Sequence, residues 1–404
     1  MSALGRVWIT GVAALTAAGE GASALGDAVV AGRALTRPSE HGPWSVATLP
    51  FDPAATLPEL LRRDLDRVGA MLVAAALGAW RDAGLAPAIP PDEDPARTGI
   101  VSASAVGAVA AQLDAYARWT AGRPASPRDI VRTAPGLAAA IAANALGALG
   151  PAIHLSCGSV SGATALGDAW MRVATGQLDR CLAVASESPI HRAVLTQFAA
   201  TRILAEGGPD ALKPFSPNRC GTQLGEGAAA LLLESDAAVR ARGATVRGAV
   251  LGYGAAADGG AHTVAPDPDG HGAIRAARAA LRAAGLGVDE VDLVLLHGTG
   301  TTLNDAAEAR AYGALFGGCA SPPPAAATKP ITGHCLGACG ALESVIALAC
   351  LARGVVPPTA NLDAVDPALA VPVAAHARSV AARTALVLSA GFGGRNAALL
   401  LARA

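Results

Sequence analysis

The sequence predicts a layered α/β protein made of two halves of similar order. Apolar strand-like runs alternate with Ala-rich helical runs, and the alternation starts afresh near Val246. The composition is 52% hydrophobic and 16% charged, with 47 glycines in 404 residues, which suits buried sheets covered by small-residue helices. The alternation favours largely parallel sheets, and the restart divides the chain into an N-terminal half, 1–245, and a C-terminal half, 246–404. The two halves share an order of elements without a clear repeat of sequence.

In chain order, Arg6–Val12 reads as a strand and Leu60–Ala83 as one partly amphipathic helix, with a Pro-containing loop between them. Gly99–Val106 is a second apolar strand, and Leu137–Leu149 an Ala-rich helix. Ala152–Leu155 is a short strand that passes through Gly158-Ser159 into a helix starting near Ser161. Buried strands follow at Arg180–Ser188 and Gly227–Glu234. In the second half the strands are Val246–Gly254, Val291–Gly300, Ala385–Ser389 and Asn396–Ala402, with helices over Gly272–Ala284 and after His334 and a loop at Ser321–Pro324.

A formal net charge of -1 and the lack of a dense Lys/Arg patch argue against nucleic acid as a partner, because phosphate binding needs local positive charge. The N-terminal apolar run is broken by Arg6 and glycines, so it reads as a strand and not as a signal peptide. No uninterrupted apolar run reaches the length of a spanning helix, and no membrane role is expected. Seven irregularly spaced cysteines favour a reducing cytoplasm over a disulfide scaffold. Cys335 and Cys339 sit one turn apart in a Gly/Ala-rich helix, where Cys commonly serves as a small core residue, so no metal site is assigned.

Three motifs stand where α/β folds gather function, at strand ends or helix starts: the Ser159 turn, His297–Thr301 (HGTGT) and Lys329–His334 (KPITGH). A side chain on the first turn of a helix faces unpaired N–H groups and the positive end of the helix dipole, which favours developing negative charge. Taken alone, the Ser159 stretch also fits an ordinary connection that uses Ser and Gly for capping. Two His motifs and a buried-looking Lys329 shift the balance towards a site.

Several longer stretches then converge. HGTGT is followed by Asp305 and Glu308, and TKPITGHCLGACGALES runs from 328 to 344. KPFSPNRCGTQLGEGA spans 213–228, PPTANLD 357–363 and GFGGRN 391–396. With these, nearly the whole chain resembles an elongating β-ketoacyl-(acyl carrier protein) synthase. The resemblance implies a thiolase-like fold with duplicated βαβαβαββ halves in α-β-α-β-α layers. It also implies a dimer, either of identical chains or with an active ketosynthase, with Arg180–Ser188 at the interface.

In that family a Cys nucleophile opens the central helix, flanked by two His and a Lys. Here Ser159 occupies the nucleophile position, with SVSG in place of the family's Cys-led tetrapeptide; seating Cys157 there would need a two-residue insertion. By resemblance, His297 and His334 would stabilise the enolate of a malonyl thioester, and Lys329 would position His334. Thr299 and Thr301 would contact a pantetheine arm, and the Ser159 and Phe392 amides would form an oxyanion hole. Phe198 and Phe392 would line or gate an acyl channel. No cofactor would be bound, since phosphopantetheine arrives on the partner acyl carrier protein. Ser216, Cys220, Asn304 and Arg395 depart from common family residues and bear on the gate and its charges.

The Ser159 departure matters chemically. A helix end contributes at most about 2 kcal/mol, roughly 1.5 pKa units, which helps a thiol ionise and leaves an alcohol protonated. A serine nucleophile needs a positioned base. Three functions follow as expectations: a non-elongating partner resembling a chain-length factor, an acyltransferase or ketosynthase that uses Ser159, or a malonyl decarboxylase.

Overall fold

The computed structural model describes residues 4–90, 93–260 and 263–404. In the N-terminal half the strands are β1 (Val7–Thr16), β2 (Thr98–Ala103), β3 (Ala152–Leu155), β4 (Arg180–Glu187) and β5 (Gly227–Ser235), in the spatial order 3-2-4-5-1. The C-terminal half has β6 (Gly248–Ala257), β7 (Leu293–Leu295), β8 (Ala325–Ala326), β9 (Thr384–Gly391) and β10 (Arg395–Arg403), in the order 8-7-9-10-6. Counted from its own first strand, the second order repeats the first. The two sheets join where Val7–Ile9 of β1 pairs antiparallel with Gly248–Val250 of β6.

Largely parallel sheets were the expectation, and the sheets are mixed. The pairs β2–β3, β2–β4, β7–β8 and β7–β9 are parallel, whereas β4–β5, β5–β1, β9–β10 and β10–β6 are antiparallel. Apolar runs buried on both faces look alike in either direction, so pattern alone does not fix polarity.

Helices α1 (Arg67–Asp82) and α2 (Leu137–Leu146) cover one face of the first sheet, packing with Ile100, Leu182 and Leu232. Helices α4 (His271–Ala284) and α5 (Thr302–Phe316) cover the outer face of the second, against Val294, Leu386 and Leu400. Between the sheets lie α3 (Ser161–Ala174) and α6 (Cys339–Arg353), packed on Val101, Ala183 and Leu231 from one side and Leu293, Val387 and Leu399 from the other. Adjacent strand residues thus feed different cores, as a period of two requires. The layers run α-β-α-β-α.

The central helices approach closely because glycines line their crossing. A Cβ on Gly340 would lie 2.5 Å from the Ala163 amide nitrogen, and one on Gly162 would lie 2.8 Å from the Gly337 carbonyl oxygen. The stretch 336–353 is apolar and long enough to cross a membrane by length and composition, and it lies in this central layer, mostly buried.

Several boundaries differ from the sequence reading. The helix expected over 60–83 breaks into Glu59–Arg62 and α1, because the Asp66 carboxylate caps the second helix at the Gly69 amide, 2.8 Å away. The Arg180–Ser188 strand is not at an interface edge: β4 is buried along its length and paired on both sides, by β2 and β5. The edge of the first sheet is β3, which among the described residues pairs only with β2. Cys335 precedes the helix that Cys339 begins, since Gly333 at φ 68° and Leu336 at φ 37° turn the chain between them.

Candidate active site

Strand β3 ends at Leu155, and five residues, 156–160, bring the chain to the start of α3. Gly158, at φ 66°, makes the turn possible. Ser161 fastens it: its hydroxyl donates to the Gly158 carbonyl at 2.6 Å and accepts from the Cys157 amide at 2.8 Å. Cys157 packs against the central core, whereas Ser159 Oγ lies 3.3 Å from His334 Nε2. Ser159, at the position read from the sequence, therefore faces the histidines.

His297 begins the loop after β7. That strand stops at Leu295, short of the expected Gly300, because the next amides turn to buried carboxylates. Glu308 on α5 accepts from the His297 and Gly298 amides at 2.5 and 2.8 Å. Asp305 accepts from the Phe215 and Gly300 amides at 2.9 and 3.2 Å. Burial pushes Glu308 up to about 7 and Asp305 up to about 6.

Lys329 is fully buried, and its three donors go to Glu343 Oε1 at 2.6 Å, His297 Nδ1 at 3.1 Å and the His297 carbonyl oxygen. Burial works against a charged lysine; the surrounding groups, Glu343 foremost, together outweigh it, so the Lys329 pKa is raised. An ammonium has no lone pair, so His297 Nδ1 is an acceptor and the ring proton sits on Nε2. The sequence reading had Lys329 positioning His334. Lys329 holds His297 instead, and His334 Nδ1 meets Cys339 Sγ at 3.1 Å.

The two imidazoles lie edge to face with centroids 5.3 Å apart. Burial, then the Lys329 charge, holds both well below the usual histidine pKa, and both rings are neutral. Thr299 and Thr301 are joined through their hydroxyls at 2.9 Å beside the His297 loop. Phe198 and Phe392 stack at 6.4 Å, with Phe392 42% exposed. The hairpin bearing Phe392 presses on the serine turn: a Cβ on Gly391 would lie 3.2 Å from the Ser159 amide nitrogen.

Three supporting residues were given no part in the site by the sequence reading. Glu343 is a buried acid on an otherwise apolar helix, four residues after Cys339 and so on the same face, which was its available signal. Cys339 carried none beyond its spacing. Glu187, at the end of β4, accepts from Ser104 Oγ at 2.9 Å and from the Ala105 and Gly337 amides at 2.5 and 3.1 Å. It ties the turn that follows His334 to the loop that follows β2.

Burial pushes Glu187 up from 4.5 to about 7. Between those values the folded chain holds a proton that the unfolded chain has lost. Its contribution is therefore complete below pH 4.5 and disappears as pH rises through about 7. At ~1.4 kcal/mol per unit this amounts to about 3 kcal/mol. The stability advantage of the wild type over Glu187→Gln should shrink by that order between pH 4.5 and 8 in denaturant titrations. A pH-independent difference would show that Glu187 stays ionised throughout.

Two neutral imidazoles and a buried ammonium, set against a turn that opens a central helix, define a site for negative charge developing on a carbonyl-type oxygen. Beta-ketoacyl synthase N-terminal domain matches residues 5–238, and Beta-ketoacyl synthase C-terminal domain matches residues 247–363. The chain belongs to the β-ketoacyl synthase family. It is 36% identical to a putative polyketide beta-ketoacyl synthase 1 of Streptomyces halstedii, across 98% of this chain and 97% of the relative. Two solved structures superpose at TM-score 0.89. One is the ishigamide ketosynthase/chain length factor, 29% identical with all of both chains covered. The other is a type II polyketide acyl carrier protein in complex with its ketosynthase bound to the hexaketide, 26% identical with 99% of this chain and 100% of that one covered. The fold is thus the thiolase-like fold of the ketosynthases.

Proposed function

We propose that this chain acts on acyl carrier protein-tethered chains in polyketide or fatty acid assembly as a non-elongating subunit, paired with a ketosynthase that carries a cysteine nucleophile. The carrying observation is Ser159 at the position facing His334, while Cys157, partly buried, packs against the central core. Among the described residues no carboxylate is hydrogen-bonded to either imidazole, so neither ring has the acid partner that makes histidine a base for serine in hydrolases. The phosphopantetheine arm would come with the carrier protein, and Thr299 and Thr301 are its assigned contacts. The solved ketosynthase/chain length factor supports pairing with a second ketosynthase-fold chain.

One observation favours a second reading. His297 and Lys329 keep the hydrogen bonds of a working donor site, and His334 stands beside them. Such a site suits decarboxylation of a malonyl thioester: the bond to the carboxylate breaks, CO2 leaves, and the electron pair enters an enolate whose oxygen the imidazole N–H groups receive. The enolate carbon is then protonated to give an acetyl thioester.

Co-expression with a cysteine-bearing ketosynthase and its carrier protein separates the readings. A partner subunit co-purifies with that ketosynthase, and chain extension needs both. Release of CO2 from malonyl-carrier protein by this chain alone would support decarboxylation. Extension by this chain alone would refute the non-elongating reading.

A further inference from the structure

We infer that Cys339 is a positioning residue for His334: its S–H donates to Nδ1 and thereby puts the ring proton on Nε2, facing Ser159 Oγ. This deepens the proposed function, since it makes His334 a donor and removes it as a base for the serine.

The geometry is specific. Among the described residues, the hydrogen-bond partners of the His334 ring are Cys339 Sγ at Nδ1, 3.1 Å away, and Ser159 Oγ at Nε2, 3.3 Å away. A neutral imidazole has one N–H and one lone pair, so the partner at Nδ1 decides what Nε2 presents. Sulfur is a weak acceptor and a ring nitrogen a good one, so S–H to nitrogen is the favoured direction. The thiol has a proton to give: Cys339 is buried, and burial keeps it protonated against the pull of the Lys329 charge. Cys339 is also the first residue of α6, where the positive end of a fifteen-residue helix disfavours an N–H pointing at it.

The cysteine is held in place from two sides. The turn before it carries Leu336 at φ 37°, a conformation that survives only where the surroundings impose it. Glu187 accepts the Gly337 amide in that turn at 3.1 Å, and a Cβ on Gly337 would lie 2.4 Å from the Ala105 amide nitrogen. His297 receives its Nδ1 hydrogen bond from Lys329, and His334 receives the equivalent from a thiol. The pair then offers two Nε2–H donors, with the Lys329 ammonium buried beside them.

The test is 15N NMR of the full-length protein labelled at its eight histidines, with the His334 ring identified by its loss in His334→Gln. The expected wild-type pattern is a protonated Nε2 and a pyridine-like Nδ1. Cys339→Ser, which keeps an O–H donor, should preserve that pattern, and Cys339→Ala should shift it towards a mixture of tautomers. A wild-type Nδ1–H form would overturn the inference whatever the variants do, and so would an unchanged tautomer in folded Cys339→Ala. The spectrum reads the ring without turnover, so it stands or falls separately from the function of the subunit.

Discussion

Replacing Ser159 with cysteine is expected to create an acyl acceptor. In Ser159→Cys, labelling by an acyl thioester should rise by about a hundredfold or more over the wild type, the order that a missing general base represents. The reason lies in what surrounds position 159. The site offers the start of α3, two neutral imidazoles and the Lys329 charge, all of which stabilise an anion, and among the described residues no carboxylate is hydrogen-bonded to either imidazole to support it as a base for an alcohol. A thiol with an ordinary pKa of about 8.5 needs only that stabilisation to react as thiolate. An alcohol needs far more than the roughly 1.5 units a helix end can contribute. Intact-protein mass after incubation reads the adduct directly. If Ser159→Cys takes up neither acyl groups nor thiol reagents, the site is closed around the side chain and the residue at 159 does not decide whether it accepts an acyl group.

The second large effect is at Lys329. Lys329→Met should cost about 3–5 kcal/mol, because removing one partner of a buried ion pair leaves the other charged or forces it to take up a proton. Glu343 would be that partner: its Oε1 loses the 2.6 Å bond, its Oε2 has no partner among the described residues, and burial already pushes its pKa up against the pull of Lys329. His297 Nδ1 would lose its donor as well. The double variant Lys329→Met, Glu343→Leu should recover most of the loss, since replacing both members of such a pair with apolar groups is often close to neutral. Denaturant midpoints of the three proteins check this. A loss below about 1 kcal/mol in Lys329→Met would mean that the ammonium is not holding the two loops together.

The sequence was most informative where period and chemistry coincide. Strands buried on both faces, such as Arg180–Glu187 and Gly227–Ser235, announce themselves as unbroken apolar runs, and the turn through Gly158 to Ser159 is readable from its small residues. Strand direction was not readable, because it is decided by connections across the sheet and leaves no mark on composition. Helix α5 escaped the periodicity because its apolar residues are spread around it. Its function is carried by Asp305 and Glu308, whose carboxylates hold the backbone of the His297 loop. The assignment of Lys329 to His334 failed for a similar reason. The two residues are close in sequence, while the ammonium reaches His297 across 32 positions, a relation set only when β7 and the turn before α6 are brought together.

The central claim is that the Ser159 hydroxyl does not accept an acyl chain. The most direct measurement is the intact mass of the wild-type chain after incubation, alone, with an acyl-carrier protein thioester. The account predicts an unmodified chain under conditions in which Ser159→Cys gains one acyl mass. An acyl adduct on the wild type that disappears in Ser159→Ala would contradict it, and would make this chain a serine acyltransferase built on a ketosynthase fold.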